Sequence, residues 1–430
     1  MMLKTIPELM KEIHDVPFAH KLAEIYNADA EGVKAQQERY LKAIDRFCEI
    51  FDAREQAAIF SAPGRTEIGG NHTDHQHGRV LAAGVNLDVI SITAKRDDGK
   101  ITVRSEGFDP DHVDTADLTV HAEEVGRSQA LIRGVCAGFV NRGYRIGGFD
   151  AYTISSVLKG SGLSSSAAFE VLIGTILNYL YNGDTIDPVT IAQIAQYAER
   201  EYFGKPCGLM DQTASAVGNF VAIDFADPAK PVVEKIPFNF ADCGHNLVIV
   251  DTKGNHADLT DDYASIGEEM CSVARAFGKE VLREVDPNEF FAKVGTLRGK
   301  LSDRALLRAI HFFGDNDRAQ HEAKLLRTGC FEAFKQEILA SGRSSFMYLQ
   351  NAYSIQAPDQ QGIPLALALT EHMLAGKGAW RVHGGGFAGT IQVFVPTELT
   401  DAYRTMIEGA LGEGTCHVLS IRPAGAVRML

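Results

Sequence analysis

The sequence predicts a mixed chain, α/β and α+β in class, with two domains that meet over a cleft. Three observations lead there. Strand-like and helical runs succeed one another from Ala58 onward. The second half alternates long helical stretches with strands in a split β-α-β order. A length of 430 residues with 45% hydrophobic content gives roughly two to three domains with ample core material. No internal repeat, low-complexity segment or flexible linker interrupts the chain. The expected divisions are a helical extension over 1–46, an N-terminal domain over 47–245 and a C-terminal domain over 246–430.

The elements follow in order. Residues 31–51 place Val33, Tyr40, Leu41, Ile44, Cys48 and Phe51 at near-helical spacing, which predicts an amphipathic helix packed on the body of the fold. AIFSAPGR and VLAAGVNLDVISITAKR read as strands bracketing GRTEIGGNHTDHQHGR, residues 64–79. ITVRSEG and DAYTISSVLKG continue the strand pattern around a helix near SQALIRGVCAGFVNRG. SGLSSSAAFEVLIGTILNYLYNG is a small-residue loop feeding a helix with little polar surface, which predicts burial. In DPVTIAQIAQYAEREYFG, Asp187 stands as N-cap with Pro188 in the first turn. FVAIDF, NLVIVDT, WRV, TIQVFV and CHVLSI are further strands, with a helix over TELTDAYRTMIEGALG.

Composition excludes several classes. A formal net charge of −14 argues against broad adhesion to nucleic acid or an anionic membrane, leaving local pockets for a small anion. Seven scattered cysteines without a C-x-x-C pair suit reduced thiols. The N-terminal MMLKTIPELMKEIHDVP carries charges and a proline where a signal peptide needs an apolar run. No stretch of about 18 apolar residues appears. A cytoplasmic protein is expected, as a monomer or small homo-oligomer.

Two stretches carry chemistry. In KGSGLSSSAA, residues 159–168, small residues let the backbone wrap an anion, hydroxyls can donate to it or ligate Mg²⁺, and the following helix offers its N-terminal N–H groups. The alternative is an ordinary serine-capped loop. Neither a Walker loop nor the dinucleotide fingerprint is present, since Ser165 holds the third glycine's place. The first stretch, with His72, Asp74, His75 and His77, is open to a zinc site, a phosphate cradle or a sugar pocket. Glu199, near a helix C-terminus, gains nothing from the helix dipole there.

PGRTEIGGNHTDHQHG, VLKGSGLSSSAAFE and RVHGGGFAG, in this order, resemble the three signature segments of the GHMP small-molecule kinases, and within them the galactokinase family. AEREYFGKPCGLMDQ, residues 198–212, resembles the galactokinase stretch around its catalytic aspartate. The similarity runs from about Phe47 to PAGAVR. It implies the two-domain GHMP kinase fold with its active site in the interdomain cleft, and an ATP- and Mg²⁺-dependent kinase for the anomeric hydroxyl of galactose or a close relative. It implies that Asp211 accepts the hydroxyl proton and that Arg65 stabilises the developing charge. Asn71, His72, Asp74 and Tyr263 would face the sugar, and Gly160, Ser161, Gly162, Leu163, Ser164, Ser165, Ser166 and Ala167 the nucleotide. Glu199 would hold Mg²⁺ with a hydroxyl of Ser164, Ser165 or Ser166, Ser166 being the expected ligand.

The chain departs from the family pattern at several points. Asn71 replaces a glutamate, His75 a tyrosine, Phe346 a histidine and His383 a threonine, and the arginine pair expected after Tyr263 is absent. An amide in place of a carboxylate removes a charge and adds two donors, which opens the pocket to an acidic or acetamido substituent. Two other readings remain: a sugar and ATP sensor without turnover, and a zinc hydrolase built on His72, His75 and His77.

Overall fold

The structure, a computed structural model, describes residues 3–158, 162–254 and 259–430. A two-residue strand β1 (Lys4–Thr5) leads into helices α1 (Ile6–Ile13), α2 (Val16–Tyr26) and α3 (Ala30–Ile50). Local chemistry sets their starts. Glu8 accepts from both the backbone N–H and the hydroxyl of Thr5 at 2.8 Å, and Asp29 accepts from the N–H of Gly32 at 2.9 Å.

The first sheet contains β2 (Gln56–Gly69), β3 (Arg79–Arg96), β4 (Lys100–Ser105), β5 (Asp111–Asp114), β6 (Gly148–Ser155), β7 (Phe220–Asp224) and β8 (Val232–Ile236). Its helices are α4 (Ser128–Asn141), α5 (Ser165–Asn182), α6 (Pro188–Glu201) and α7 (Met210–Val217). The strand order is β1-β2-β3-β6-β4-β5, with β7 on β3 and β8 on β7. β3, 18 residues long, pairs with β7 through its first half and with β6 through its second. β4–β6 is parallel, and the other pairings named here are antiparallel.

Both faces of the sheet are buried, and alternation assigns each residue to one of them. Ala58, Phe60 and Ala62 join the core that also holds Leu172 and Ile176 of α5, while Ala57 and Ile59 face Leu9, Phe18, Leu22, Tyr40 and Phe47 of α1–α3. The helices α1–α3, the last running to Ile50, are the covering layer of one sheet face. Its polar anchor is Asp88 of β3, fully buried, which accepts from Tyr26 Oη at 2.6 Å, Arg39 Nη1 at 2.7 Å and Arg422 Nη1 at 3.1 Å, and also from Ser61 Oγ. Burial opposes its charge, but Arg39, Arg422, Ser61 and Tyr26 outweigh burial and hold the carboxyl below its ordinary range.

The second sheet has the order β10 (Ala379–His383), β11 (Thr390–Pro396), β9 (His245–Asp251), β12 (Cys416–Leu419), all antiparallel. Around it lie α8 (Thr260–Ala276), α9 (Pro287–Leu297), α10 (Asp303–Arg327), α11 (Phe331–Ser344), α12 (Gly362–Leu374) and α13 (Thr400–Leu411). A final strand, β13 (Val427–Arg428), returns to pair with β2. The two sheets share a core: Phe220 and Phe240 from the first half pack near Phe331 and Phe394 from the second, with ring centroids 5.9–6.3 Å apart. Among the described residues, no helix is long and apolar enough to cross a membrane.

Replacing Asp88 by Asn would leave Arg39 and Arg422 without a counter-charge in a buried site. The expected cost is about 3–5 kcal/mol of unfolding free energy, read by urea denaturation. Because the folded pKa is depressed, this contribution is present above the ordinary aspartate pKa of about 4 and is lost as pH falls through the folded value. Asp88→Asn should therefore flatten the acid limb of the stability profile.

Candidate active site

The site begins where β2 meets the serine-rich loop. The register of β2 on β3 shifts between Pro63 and Arg65. A Cβ on Gly64 would lie 2.9 Å from the carbonyl oxygen of Leu163, so only glycine lets the strand approach closely enough for Arg65 N–H to donate to that oxygen at 3.0 Å. Arg65 then forks onto Asp211 in the first turn of α7: Nε to Oδ1 and Nη2 to Oδ2, both 2.6 Å. Its Nη1 donates to Gly162 O, and Ser164 Oγ donates to Asp211 Oδ2. Burial raises the cost of charge on Asp211, yet Arg65 and Ser164 overcome it and hold the carboxyl below its ordinary range. Asp211 is an ionised acceptor whose side chain keeps 24% exposure.

Ser164 has a left-handed backbone, φ 55°, from which α5 starts at Ser165 with no side-chain cap. The first-turn N–H groups of Ser165, Ser166 and Ala167 lack intrahelical acceptors, the arrangement that receives an anion. Gly162, Leu163 and Ser164 lie beside Arg65, whereas Gly160 and Ser161 fall outside the described residues.

Glu199 on α6 is 1% exposed and lies next to this helix start. Gln212 Nε2 donates to its Oε2 at 2.7 Å and to Glu170 Oε2 at 3.2 Å. Its Oε1 receives Ser166 Oγ at 3.0 Å and the Lys205 ammonium at 2.8 Å. Burial, then the Glu199 charge, pushes Glu170 well above the usual carboxylate range. A buried carboxylate oxygen paired with a hydroxyl and already holding a cation fits a hard divalent ion. Gln212, Glu170 and Lys205 were not singled out from sequence. The one signal was position: Lys205 and Gln212 lie inside the motif that carries Glu199 and Asp211, and Glu170 closes the serine-rich motif.

The sugar-loop candidates separate. His72 Nε2 donates to Gly385 O at 2.9 Å, and burial, with His75 next, pushes its pKa down to about 4, so the ring is neutral. Tyr263 Oη donates to Gly386 O at 3.0 Å, and the Tyr263 ring meets Phe387 edge-on. Asp74 lies against Gly208 and opens, with His75, His77, Gln196 and Arg200, on a recess of about 340 Å³. Asn71 is placed differently from the expectation of a sugar contact. It is fully buried, and its amide is consumed by protein: Nδ2 donates to Glu67 Oε1 at 2.8 Å and to Gly384 O at 2.7 Å. Its Oδ1 accepts from Ser345 Oγ at 3.1 Å and Asn351 Nδ2 at 2.9 Å. Even its backbone is held, N–H by Asp315 Oδ2 at 2.9 Å and C=O by His311 Nε2 at 2.8 Å. An amide has two donors and two acceptor positions, and no capacity is left for a ligand. His383 is likewise internal, between Thr66 Oγ1 at 3.0 Å and Thr390 Oγ1 at 2.9 Å. The loop histidines do not converge: among the described residues, no group of three or more His, Cys, Asp and Glu side chains is arranged to hold a metal.

Residues 130–219 match the model of the GHMP kinases N terminal domain, and residues 45–95 that of the galactokinase galactose-binding signature. The galactokinase of Streptomyces coelicolor is 30% identical over 371 residues, 85% of this chain and 91% of that protein. The chain belongs to the galactokinase family. Galactokinases are phosphotransferases acting on a sugar hydroxyl, and this chain is a galactokinase-like sugar kinase. The fold agrees: the crystal structure of Lactococcus lactis galactokinase complexed with galactose superposes with TM-score 0.76 at 23% identity, covering 90% of this chain and 100% of that one. The Methanococcus jannaschii mevalonate kinase does so with TM-score 0.56 at 12% identity, covering 85% and 98%. Below a quarter identity such likeness shows the GHMP kinase fold alone.

Asn71→Asp should distinguish an internal strut from a ligand contact. It removes both donors and sets a carboxylate against Glu67, whose own carboxyl burial already pushes up. A loss of about 2–3 kcal/mol is expected from the broken buried hydrogen bonds, read by chemical denaturation without any ligand. Unchanged stability would show that the amide bears no structural load.

Proposed function

We propose that the chain transfers the γ-phosphoryl group of ATP to the anomeric (C1) hydroxyl of galactose or a closely related hexose, giving the sugar 1-phosphate. The observation that carries this reading is the Arg65–Asp211 fork at the uncapped N-terminus of α5, with Glu199 beside it. Phosphoryl transfer asks a protein for position and charge, and those are what this cluster offers. Asp211 accepts a hydrogen bond from the attacking hydroxyl and orients it. Its lowered pKa makes it an acceptor first, with the proton arriving late as the phosphoryl moves. Arg65 keeps Asp211 aligned and faces the charge that develops on the transferring group. The α5 N–H groups and the loop of residues 160–167 hold the nucleotide phosphates. Asp74, His72 and Tyr263 line the sugar side. Glu199 and Ser166 would hold Mg²⁺, which supplies charge neutralisation across the nucleotide's phosphates.

The seven free thiols support a reducing compartment, and we place the enzyme in the cytoplasm, as a monomer or small homo-oligomer. The test is ADP release with ATP and Mg²⁺ across galactose, galactosamine, N-acetylgalactosamine, galacturonate and glucose, with ³¹P NMR to locate the phosphate. Asp211→Asn should lower kcat by about two to four orders of magnitude. Near-normal turnover by that variant would remove Asp211 from the mechanism. Because Asp211 stays ionised, activity should be lost through it only below about pH 4.

A further inference from the structure

The cation now resting on Glu199 is a side chain. Gln212 fixes Oε2, so Oε1 is the edge left to a positive charge, and there Lys205 Nζ at 2.8 Å shares the oxygen with Ser166 Oγ at 3.0 Å. The Glu199 and Lys205 side chains are unlike: 2% exposed against 53%. A buried carboxylate is paired with a half-exposed ammonium that has solvent to move into. Lys205 is tethered close by, its N–H donating to Glu199 O at 3.0 Å.

We propose that Lys205 occupies the divalent-cation position at Glu199 in the unliganded enzyme, yields it when the metal–nucleotide complex arrives, and then places its ammonium on the nucleotide phosphates. The proposal rests on the kinase reading above. A divalent ion outcompetes a monovalent one for a buried carboxylate, and once it binds, like-charge repulsion drives Lys205 off Oε1. The displaced group stays tethered near Glu199 through the Lys205 N–H bond to Glu199 O, beside the start of α5 where the nucleotide phosphates would lie. No bond to Lys205 forms or breaks: the phosphoryl leaves the β–γ bridging oxygen for the sugar oxygen, the hydroxyl proton goes to Asp211, and Lys205 keeps its own proton and supplies charge.

The two roles give opposite signs when the charge is removed. An occupied cation position lowers apparent metal affinity by the fraction of protein in which it is free. Lys205→Met should therefore bind Mn²⁺ alone more tightly, by about 3- to 10-fold, measured from the free Mn²⁺ signal in electron paramagnetic resonance. The same variant should lose about 10- to 100-fold in kcat, while Lys205→Arg, which keeps the charge, retains most of it. A purely structural lysine would leave both quantities unchanged or weaken both. Equal or weaker Mn²⁺ binding by Lys205→Met, or an unchanged kcat, overturns the proposal while wild-type sugar-dependent ADP release leaves the kinase reading standing. Absence of that release from the wild type with every sugar overturns the reading and the proposal with it.

Discussion

The bidentate pair between Arg65 and Asp211 is the contact on which the candidate active site depends. It joins three segments far apart in sequence: β2 carries the guanidinium, α7 the carboxylate, and the serine-rich loop is held by Gly162 O and Ser164 Oγ to the same two side chains. A fork of two short charge-assisted bonds fixes orientation as well as distance. It also holds the Asp211 carboxyl below its ordinary range against the opposing effect of burial. Gly64 is the steric condition for all of this, because any side chain there would part β2 from Leu163.

A second polar network joins the two halves of the chain. Arg381 of β10 is fully buried and bonds Glu67 Oε1 at 2.6 Å, and Asn71 donates to the same oxygen. Asp315 and His311 of α10 grip the Asn71 backbone, and Asn351 links Asn71 Oδ1 to Gly385 O. Desolvated groups of this kind tolerate little displacement, because each broken bond strands a partner in a dry site. The glycine run 384–386 is thereby seated against His72 and Tyr263. The substitutions in the sugar loop thus reach beyond substrate contact: at Asn71 the change serves the junction, while His75 and His77 line the recess beside Asp74.

The helices and strands were legible because each signal is local. The Asp187 cap of α6, accepting from Thr190 N–H at 3.0 Å, the strand β3 and the apolar α5 stand where the pattern put them, whereas β2 runs on to Gly69, into the stretch read as a connection between strands. Arg65, Asp211, Ser166 and Glu199 were legible through ordered motifs, and they are brought together. The two-sided burial of the first sheet was not, since a strand that alternates between two cores reads as a continuous apolar run. The role of α1–α3 as its second layer, anchored through Tyr26 and Arg39 on Asp88, depends on pairing across the fold.

The sequence by itself determined the family, much of the order of elements and the candidate residues for phosphoryl transfer, because periodicity, caps and motifs are written within a few dozen positions. Only the tertiary structure decided that Asn71 is an internal strut and that Lys205 rests on Glu199. The reason is physical. Asn71 meets partners more than 240 positions away, and whether an amide faces ligand or protein is set by what the fold brings against it. Lys205 is near Glu199 in sequence, but its ammonium is drawn to Oε1 because Gln212 has already claimed the other oxygen.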